Sequence, residues 1–133
     1  MRMMISGSRE HTDYEFIRDM VEDAAGTHFD ITFIHGAARG ADKLGAKAAE
    51  EYGFTIESFP ADWSLGKRAG GLRNSEMLAS GVDIALFFFL SSHQNVGTRD
   101  AARKAISLGI TSRYFIDDQE YTLAEIKRKI VPF

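Results

Sequence analysis

The sequence predicts a three-layer α/β fold, Rossmann-like, in which a mostly parallel five-stranded sheet carries helices on both faces. Five apolar, strand-like runs are present, beginning near Arg2, Ile31, Phe54, Ile84 and Ser112. Their starts lie 23 to 30 residues apart, which is the length of a repeating strand-helix unit. The run from Ile84 to Phe89 is apolar without interruption, as expected for a strand that is buried on both faces of a parallel sheet.

Helices are predicted between the first three strands. The first has apolar residues at helical spacing, namely Ile17, Met20, Val21 and Ala24. Thr12-Asp13-Tyr14-Glu15 in front of it has the pattern of a capping box. The second has a stripe of small and apolar residues that suits close packing on a sheet, namely Ala41, Leu44, Gly45, Ala48 and Tyr52. Gly53 is expected to end it.

Three further helices are predicted along the chain. One is expected from about Arg68 to Ser80. The next is expected to be capped by Thr98 and ended by Gly109, before the fifth strand at Ser112–Ile116. Its inward face is predicted to be Ala101, Ala102, Ala105 and Leu108. A second capping box, Thr122 to Glu125, opens a C-terminal helix whose inward side chains are predicted to be Leu123, Ile126 and Ile130.

Composition and charge predict one soluble domain over residues 1–133. Of the 133 residues 44% are hydrophobic, 26% are charged and 2 are proline, which is ordinary for a globular chain. No 18-residue apolar run and no secretory stretch after Met1 is present, and cysteine is absent, so a cytoplasmic location without a membrane partner is expected. The histidines lack metal-ligand spacing, so no metal site is predicted. No cofactor is predicted either. The net charge of -3 disfavours a nucleic-acid partner, because binding to nucleic acid requires a broad basic surface on the protein.

The loops after the strands are where a ligand is expected, because open α/β sheets bind ligands outside the carboxyl ends of their strands. Four of these loops are rich in glycine and polar residues, at 6–9, 36–42, 60–74 and 91–98. Glycines let backbone N–H groups approach an anion, and helix N-termini add partial positive charge. Six of the sixteen Lys and Arg residues lie in or beside these loops, namely Arg9, Arg39, Lys67, Arg68, Arg73 and Arg99. The pattern predicts a site for a small anionic ligand.

Some of these residues have a second interpretation. The segment from Gly36 to Gly40 lacks the middle glycine of the dinucleotide motif, and no Gly-Lys-Ser/Thr follows to make a P-loop. The two glycines are also compatible with a turn and helix packing alone. Trp63, the only tryptophan, suits either stacking on a base or filling the edge of the core. Asp42 opens a helix, where an acid meets the dipole favourably with or without a ligand.

Several motifs taken together resemble one family. They are Gly7-Ser8-Arg9, the run from His35 to Asp42, Phe59-Pro60-Ala61-Asp62-Trp63, the run from Gly66 to Gly70, the run from Arg73 to Met77, and Gly97-Thr98. Over about residues 2–117 the chain resembles the YspA-like, cpYpsA-related branch of the SLOG superfamily. The resemblance implies a Rossmann-like nucleotide-binding domain of a bacterium or phage, related to DprA and to the lysine-decarboxylase-like LOG proteins.

The resemblance is incomplete at the position that matters most for catalysis. LOG phosphoribohydrolases split the N-glycosidic bond of nucleoside monophosphates with a catalytic Arg and Glu. Arg73 matches the Arg and is therefore the candidate catalytic residue, but Ala101 stands where the Glu would be. Alanine can neither stabilise an oxocarbenium-like transition state nor position water. A substitute carboxylate is left open at Asp42, Asp62, Glu76 or Asp100.

The leading hypothesis is a protein that binds or senses a nucleotide or a related phosphorylated nucleoside. The alternatives are a LOG-like nucleotide N-glycosidase and a DprA-like nucleic-acid accessory module. The predicted ligand-binding residues are Gly7, Ser8, Arg9, Gly36, Arg39, Gly40, Asp42, Asp62, Trp63, Lys67, Arg73, Asn74, Gly97 and Thr98. Phosphate is expected at the helix starts near Gly36–Asp42 and Gly97–Thr98. A homodimer is predicted through the third helix, which has Leu72, Met77 and Leu78 on its surface, unless these side chains face their own sheet.

Overall fold

The computed structural model describes residues 1–129. Strands and helices alternate in the order β1 (Arg2–Gly7), α1 (Tyr14–Ala25), β2 (Thr32–His35), α2 (Ala41–Glu51), β3 (Thr55–Ser58), a 3₁₀ segment (Trp63–Arg68), α3 (Ala69–Ala79), β4 (Ile84–Phe89), α4 (Val96–Ser107), β5 (Ser112–Ile116), β6 (Gln119–Tyr121) and α5 (Leu123–Lys129). None of the helices in this range has the length and apolar character needed to cross a bilayer.

The strands form one sheet in the order β3-β2-β1-β4-β5-β6, parallel except for the pair β5 and β6. The predicted Rossmann-like α/β class is therefore confirmed. Within residues 1–129 the sheet has six strands and not five, because β5 turns back through two residues into the short antiparallel β6. The chain progresses outward from β1 in one direction and from β4 in the other. This switch point is where open α/β sheets bind their ligands.

Side chains alternate across the strands and form one apolar core on each face of the sheet. On one face Ile5 and Phe88 belong to the same cluster as Val21 of α1. On the other face Phe87 belongs to the cluster of Met77 on α3. The last five residues of β4 are buried, which confirms the prediction of a strand covered on both faces. The sheet therefore lies between two helical layers, as predicted.

The starts of two helices differ from the prediction. The N-cap of α1 is Asp13, whose carboxylate accepts the N–H of Phe16 at 3.1 Å, and not Thr12. The first helix therefore begins one residue later than its capping-box pattern indicates. α4 begins at Val96, because Asn95 adopts a left-handed conformation (φ 55°) that starts the helix early; Asn tolerates this region better than most residues. Thr98 thus lies inside the first turn, and its prediction as the cap is wrong.

Two side chains predicted to face inward are exposed at helix ends. Leu108, after the last residue of α4, is 63% exposed, and Leu123, the first residue of α5, is 44% exposed. Ile126 is fully buried, as predicted. The second capping box is confirmed, because the Thr122 N–H donates to Glu125 at 2.9 Å and the Glu125 N–H donates to the Thr122 hydroxyl at 3.2 Å. Ile130 lies outside the described residues.

Candidate functional site

A cleft of about 590 Å³ opens at the switch point, between the loop after β1 and the loop after β4. Its volume is in the range of small-molecule sites. Ten of the predicted ligand-binding residues line it, namely Gly7, Ser8, Arg9, Asp42, Trp63, Lys67, Arg73, Asn74, Gly97 and Thr98. They lie together because parallel strands present all their carboxyl ends at one edge of the sheet.

Two predicted glycines do not line the cleft and have structural roles in the loop before α2. The N–H of Gly36 donates to Asp42 at 3.0 Å, and its carbonyl accepts a hydrogen bond from Arg73. Gly40 has a φ of 76°, and a Cβ there would lie 2.4 Å from the carbonyl oxygen of Ser8. Only glycine fits at position 40 for both reasons. These residues shape the loop before α2.

The other two predicted residues outside the lining are polar residues engaged elsewhere. The Arg39 side chain is 68% exposed and pairs with Glu10 at 2.5 Å. Asp62 caps the 3₁₀ segment by accepting the N–H of Ser64 at 3.1 Å. Neither residue lines the cleft.

Arg73 is held against the start of α4 by a chain of hydrogen bonds. Its Nη1 donates to the carbonyl of Gly36, and its Nε donates to the amide oxygen of Asn74 at 3.0 Å. The buried Asn74 in turn donates to the Gly97 carbonyl and to Asp100, both at 3.1 Å. Both amide hydrogens of Asn74 are thus used inside the protein. Asn74 thus holds Arg73 in place, and neither of its amide hydrogens is free for the ligand that the sequence predicts it to bind.

Asp42 is a buried carboxylate at the base of the cleft, 5% exposed. Its Oδ2 accepts the N–H groups of Gly36 at 3.0 Å and Ala38 at 3.3 Å. Burial raises the pKa of Asp42 to about 6, against the lowering effect of these hydrogen bonds and of the Arg73 guanidinium. The loop before α2 therefore already holds an anion, and the N–H groups of Gly36 and Ala38 are occupied.

The N-terminus of α4 has no such internal anion. The side chain of Asn95 bonds to backbone groups of the preceding loop and does not cap the helix. Within the described chain the N–H groups of Val96, Gly97 and Thr98 have no hydrogen-bond partner. A Cβ on Gly97 would meet nothing within 4 Å, so the space beside this turn is open. Free N–H groups and the dipole of a 12-residue helix favour an anion at this end.

Five cationic side chains of the cleft form no ion pair with any residue of 1–129, namely Arg9, Lys67, Arg68, Arg73 and Arg103. By contrast, the acids Glu10 and Asp100 pair with Arg39 at 2.5 Å and Lys104 at 2.9 Å. The cleft thus has an excess of positive charge on a protein of net charge -3. Over the same range, no group of three His, Asp or Glu side chains is arranged to hold a metal ion.

Trp63 stands at the mouth of the cleft and is 56% exposed. The whole 3₁₀ segment that it begins contains no buried residue. The interpretation of Trp63 as a core residue is therefore wrong. The guanidinium of Arg9 lies over its ring, 5.5 Å from the centroid, which is within the range of a cation–π contact.

Asp100, which the sequence predicts only as a possible substitute carboxylate, and Arg103, which sequence reasoning missed, also line the cleft. They follow Val96 at the i+4 and i+7 positions of α4, and residues at this spacing share one face of a helix. This helical spacing is the feature of the sequence that could have identified both residues. Arg99, which was counted among the cations of the loops, does not line the cleft, and its Nε is buried without a hydrogen-bond partner in the described chain.

Comparisons with known proteins agree with this architecture. Residues 1–66 match the family described as YAcAr: YspA, cpYpsA-related SLOG family. The chain is 38% identical to the Gene 61 protein of Mycobacterium phage D29 over 116 aligned residues. The alignment covers 82% of this chain and 91% of the phage protein. The fold is similar to that of DNA processing protein A (DprA) from Streptococcus pneumoniae, with a TM-score of 0.51 and 12% identity over 84% of this chain. The match spans 57% of the DprA chain, and it concerns the fold alone.

Proposed function

Because the chain belongs to the YspA, cpYpsA-related SLOG family, we propose that it binds a nucleotide or a nucleotide-derived phosphorylated ligand in the cleft at the switch point. The observation that carries this proposal is the meeting of unpaired cationic side chains with an uncapped helix N-terminus, in one cleft of an acidic protein. Such a combination favours a phosphate group over neutral ligands, because both the full charges and the helix dipole attract it.

The phosphate is assigned to the first turn of α4. The loop before α2 was an equal candidate from the sequence, but the Asp42 carboxylate already occupies its N–H groups. At α4 the N–H groups of Gly97 and Thr98 are free, and Asn74 links the Arg73 guanidinium to the same turn. Arg73 is therefore the cation expected to bind the phosphate.

The nucleobase is assigned to the mouth of the cleft. Trp63 presents an exposed indole there, and stacking of a base on an aromatic ring is worth about 1–3 kcal/mol. Arg9 now covers one face of that ring, and it would contact the base or the phosphate when a ligand enters. This arrangement needs neither a metal nor a cofactor.

The first test compares Arg73→Ala with the wild-type protein by titration calorimetry and thermal shift. The ligands are the four ribonucleoside 5′-monophosphates, ribose 5-phosphate and inorganic phosphate, at up to millimolar concentration. A charge-assisted hydrogen bond contributes about 1.5–3 kcal/mol, so the variant is expected to bind about 10- to 150-fold more weakly. Melting of the unliganded variant verifies that it folds.

Arg18→Ala is the matched control, because Arg18 lies on α1, pairs with Asp19 and does not line the cleft. It is expected to bind with wild-type affinity. The proposal is wrong if the wild-type protein shows no response to any of these ligands. If Arg73→Ala and Arg18→Ala bind equally well, the phosphate does not contact Arg73.

We propose binding without turnover. Ala101, which replaces the LOG glutamate, is fully buried, and Asp100 beside it is paired with Lys104. Asp62 and Glu76 do not line the cleft, so neither is placed to act as a substitute. Chromatography for free base in the same incubations tests this, and release of base would favour an N-glycosidase. A single-stranded oligonucleotide, added as a further ligand, tests the alternative of a nucleic-acid accessory module.

A further inference from the structure

The carboxylate of Asp42 is only partly used by the protein. Its Oδ2 accepts two backbone N–H groups, whereas Oδ1 accepts no hydrogen bond from any residue of 1–129. Oδ1 is nevertheless not sealed in the interior. Within residues 1–129 the fully buried side-chain nitrogen and oxygen atoms that lack a hydrogen-bond partner are Tyr14 Oη and Arg99 Nε, and Oδ1 is not one of them. The residue lines the cleft while being 5% exposed. One carboxylate oxygen therefore remains available to a bound ligand.

A phosphate is a poor partner for that oxygen. Two like charges repel strongly where little water separates them. The phosphate has a better position at the first turn of α4, where free N–H groups and Arg73 lie. The group that donates a hydrogen bond to Oδ1 of Asp42 must instead be a neutral donor on the same ligand.

We propose that Asp42 selects for a ribose by accepting a hydrogen bond from the 2′-hydroxyl of the bound nucleotide. This inference rests on the proposed function. A sugar lies between the phosphate and the base of any nucleotide, and Asp42 lies at the base of the same cleft whose other parts are the α4 turn and Trp63. A hydroxyl bound to a carboxylate makes a charge-assisted hydrogen bond, which is about twice as strong as a neutral one.

The test is a set of paired titrations with the wild-type protein. Each ribonucleoside 5′-monophosphate is compared with its 2′-deoxy counterpart, and inorganic phosphate is measured alongside. Ribonucleotides are expected to bind about tenfold or more tightly than their deoxy partners, whatever the base. Equal affinity within every pair overturns the ribose proposal but leaves nucleotide binding intact. Affinity that follows the exocyclic amine of the base, and not the sugar, also overturns it.

Asp42→Asn provides an independent arm, because asparagine has the same shape and keeps an oxygen for the N–H groups of Gly36 and Ala38. The preference for ribose is expected to fall to about threefold or less, since the remaining bond is neutral. Binding of inorganic phosphate is expected to tighten, because a negative charge has left the cleft. A variant that keeps the full ribose preference overturns the proposal. If the wild-type protein binds inorganic phosphate and no nucleotide, the proposed function itself is wrong.

Discussion

The carboxylate of Asp42 is removed from water yet remains ionisable, and that combination has a measurable effect on folding. Burial raises its pKa from 3.8 to about 6, and the two N–H groups that bond to Oδ2 only partly offset this. The folded state thus favours the protonated form more than the unfolded chain does. If the binding site uses Asp42 as a hydrogen-bond acceptor, the protein retains a buried carboxylate. Near neutral pH the ionised form of that carboxylate lowers the stability of the folded state.

This linkage predicts a pH-dependent difference in stability between the wild-type protein and Asp42→Asn. The contribution of Asp42 is fully present below pH 3.8 and is lost as the pH rises through about 6. Relative to the variant, the wild-type protein should lose up to about 3 kcal/mol between pH 4 and pH 7, since each pKa unit corresponds to about 1.4 kcal/mol. Urea unfolding of both proteins at intervals across this range measures it. A constant difference, or one of opposite sign, contradicts the raised pKa.

Asn74 illustrates what residue types alone leave undecided. Its position next to Arg73 predicts a hydrogen bond to the ligand, but a sequence does not tell whether an amide faces the ligand or the protein. Here the surrounding carbonyl and carboxylate oxygens take both hydrogens. The same holds for Gly36 and Gly40, whose roles lie in the backbone path of the loop before α2.

At the scale of elements, the spacing of apolar runs and of helical stripes predicted five of the six strands and the five helices of residues 1–129. The prediction succeeded mainly because most of these elements bury an apolar face or stripe against the sheet. The sixth strand was missed. β6 has three residues, Gln119–Tyr121, none of them buried, so it carries no burial pattern. The turn before it has Asp117 and Asp118 at φ of 48° and 63°. Two-residue hairpin turns of this kind require positive φ and are usually recognised in a sequence by Asn-Gly or Asp-Gly. The pair Asp117-Asp118 does not have that pattern.

This unpredicted turn connects to both loops of the cleft. Asp117 accepts hydrogen bonds from the N–H, at 3.0 Å, and the hydroxyl of Ser91, in the loop after β4. Asp118 lies 2.8 Å from Nε2 of the buried His11, in the loop after β1. Since Nδ1 of His11 accepts the N–H of Asp13, Nε2 carries the proton and donates to Asp118. The hairpin thus connects both cleft loops at the edge of the sheet where β1, β4 and β5 all end.

Asp118→Ala is predicted to destabilise the protein by about 1–3 kcal/mol, because the buried N–H of His11 loses its acceptor. Asp118→Asn is the control, since asparagine retains an acceptor oxygen and tolerates the left-handed conformation. Urea unfolding of the three proteins measures the difference. If the two variants are equally stable, the hydrogen bond to His11 does not contribute.

At the scale of the whole molecule, net charge and local charge have opposite signs. The chain carries 19 acidic and 16 basic residues, yet one cleft is lined by the unpaired cations Arg9, Lys67, Arg68, Arg73 and Arg103. A concave site with an excess of positive charge focuses the electrostatic field on small anionic ligands, whereas the acidic remainder of the surface repels long polyanions.

The fold explains why the position of the cleft was largely predictable. The carboxyl ends of the parallel strands share one edge of the sheet, so loops that are distant in sequence converge there. Arg103 escaped prediction because it lies on a helix face and not in a loop.

Assembly is the last property of the whole molecule that the structure makes testable. Of the α3 residues predicted to form a dimer contact, Met77 and Leu78 are buried in the core of their own subunit, so that prediction is wrong for these two. Leu72 is 45% exposed and remains available for a contact. Leu65 on the neighbouring 3₁₀ segment is 44% exposed. We therefore expect a homodimer through this surface, since a two-fold interface uses one patch twice and a stable one buries at least about 1,000 Å².

Light scattering at micromolar concentration is expected to give twice the 14.8 kDa mass of one chain. Leu72→Lys should convert the protein to a monomer, because a charge at the centre of a small apolar interface loses its hydration without gaining a partner. Leu108→Lys is the matched control, as Leu108 is 63% exposed at the end of α4 and lies outside the proposed surface. A mass of 14.8 kDa for the wild-type protein would refute the dimer and leave the cleft to be formed by one subunit. A dimer that survives Leu72→Lys but not Leu108→Lys would move the interface to α4.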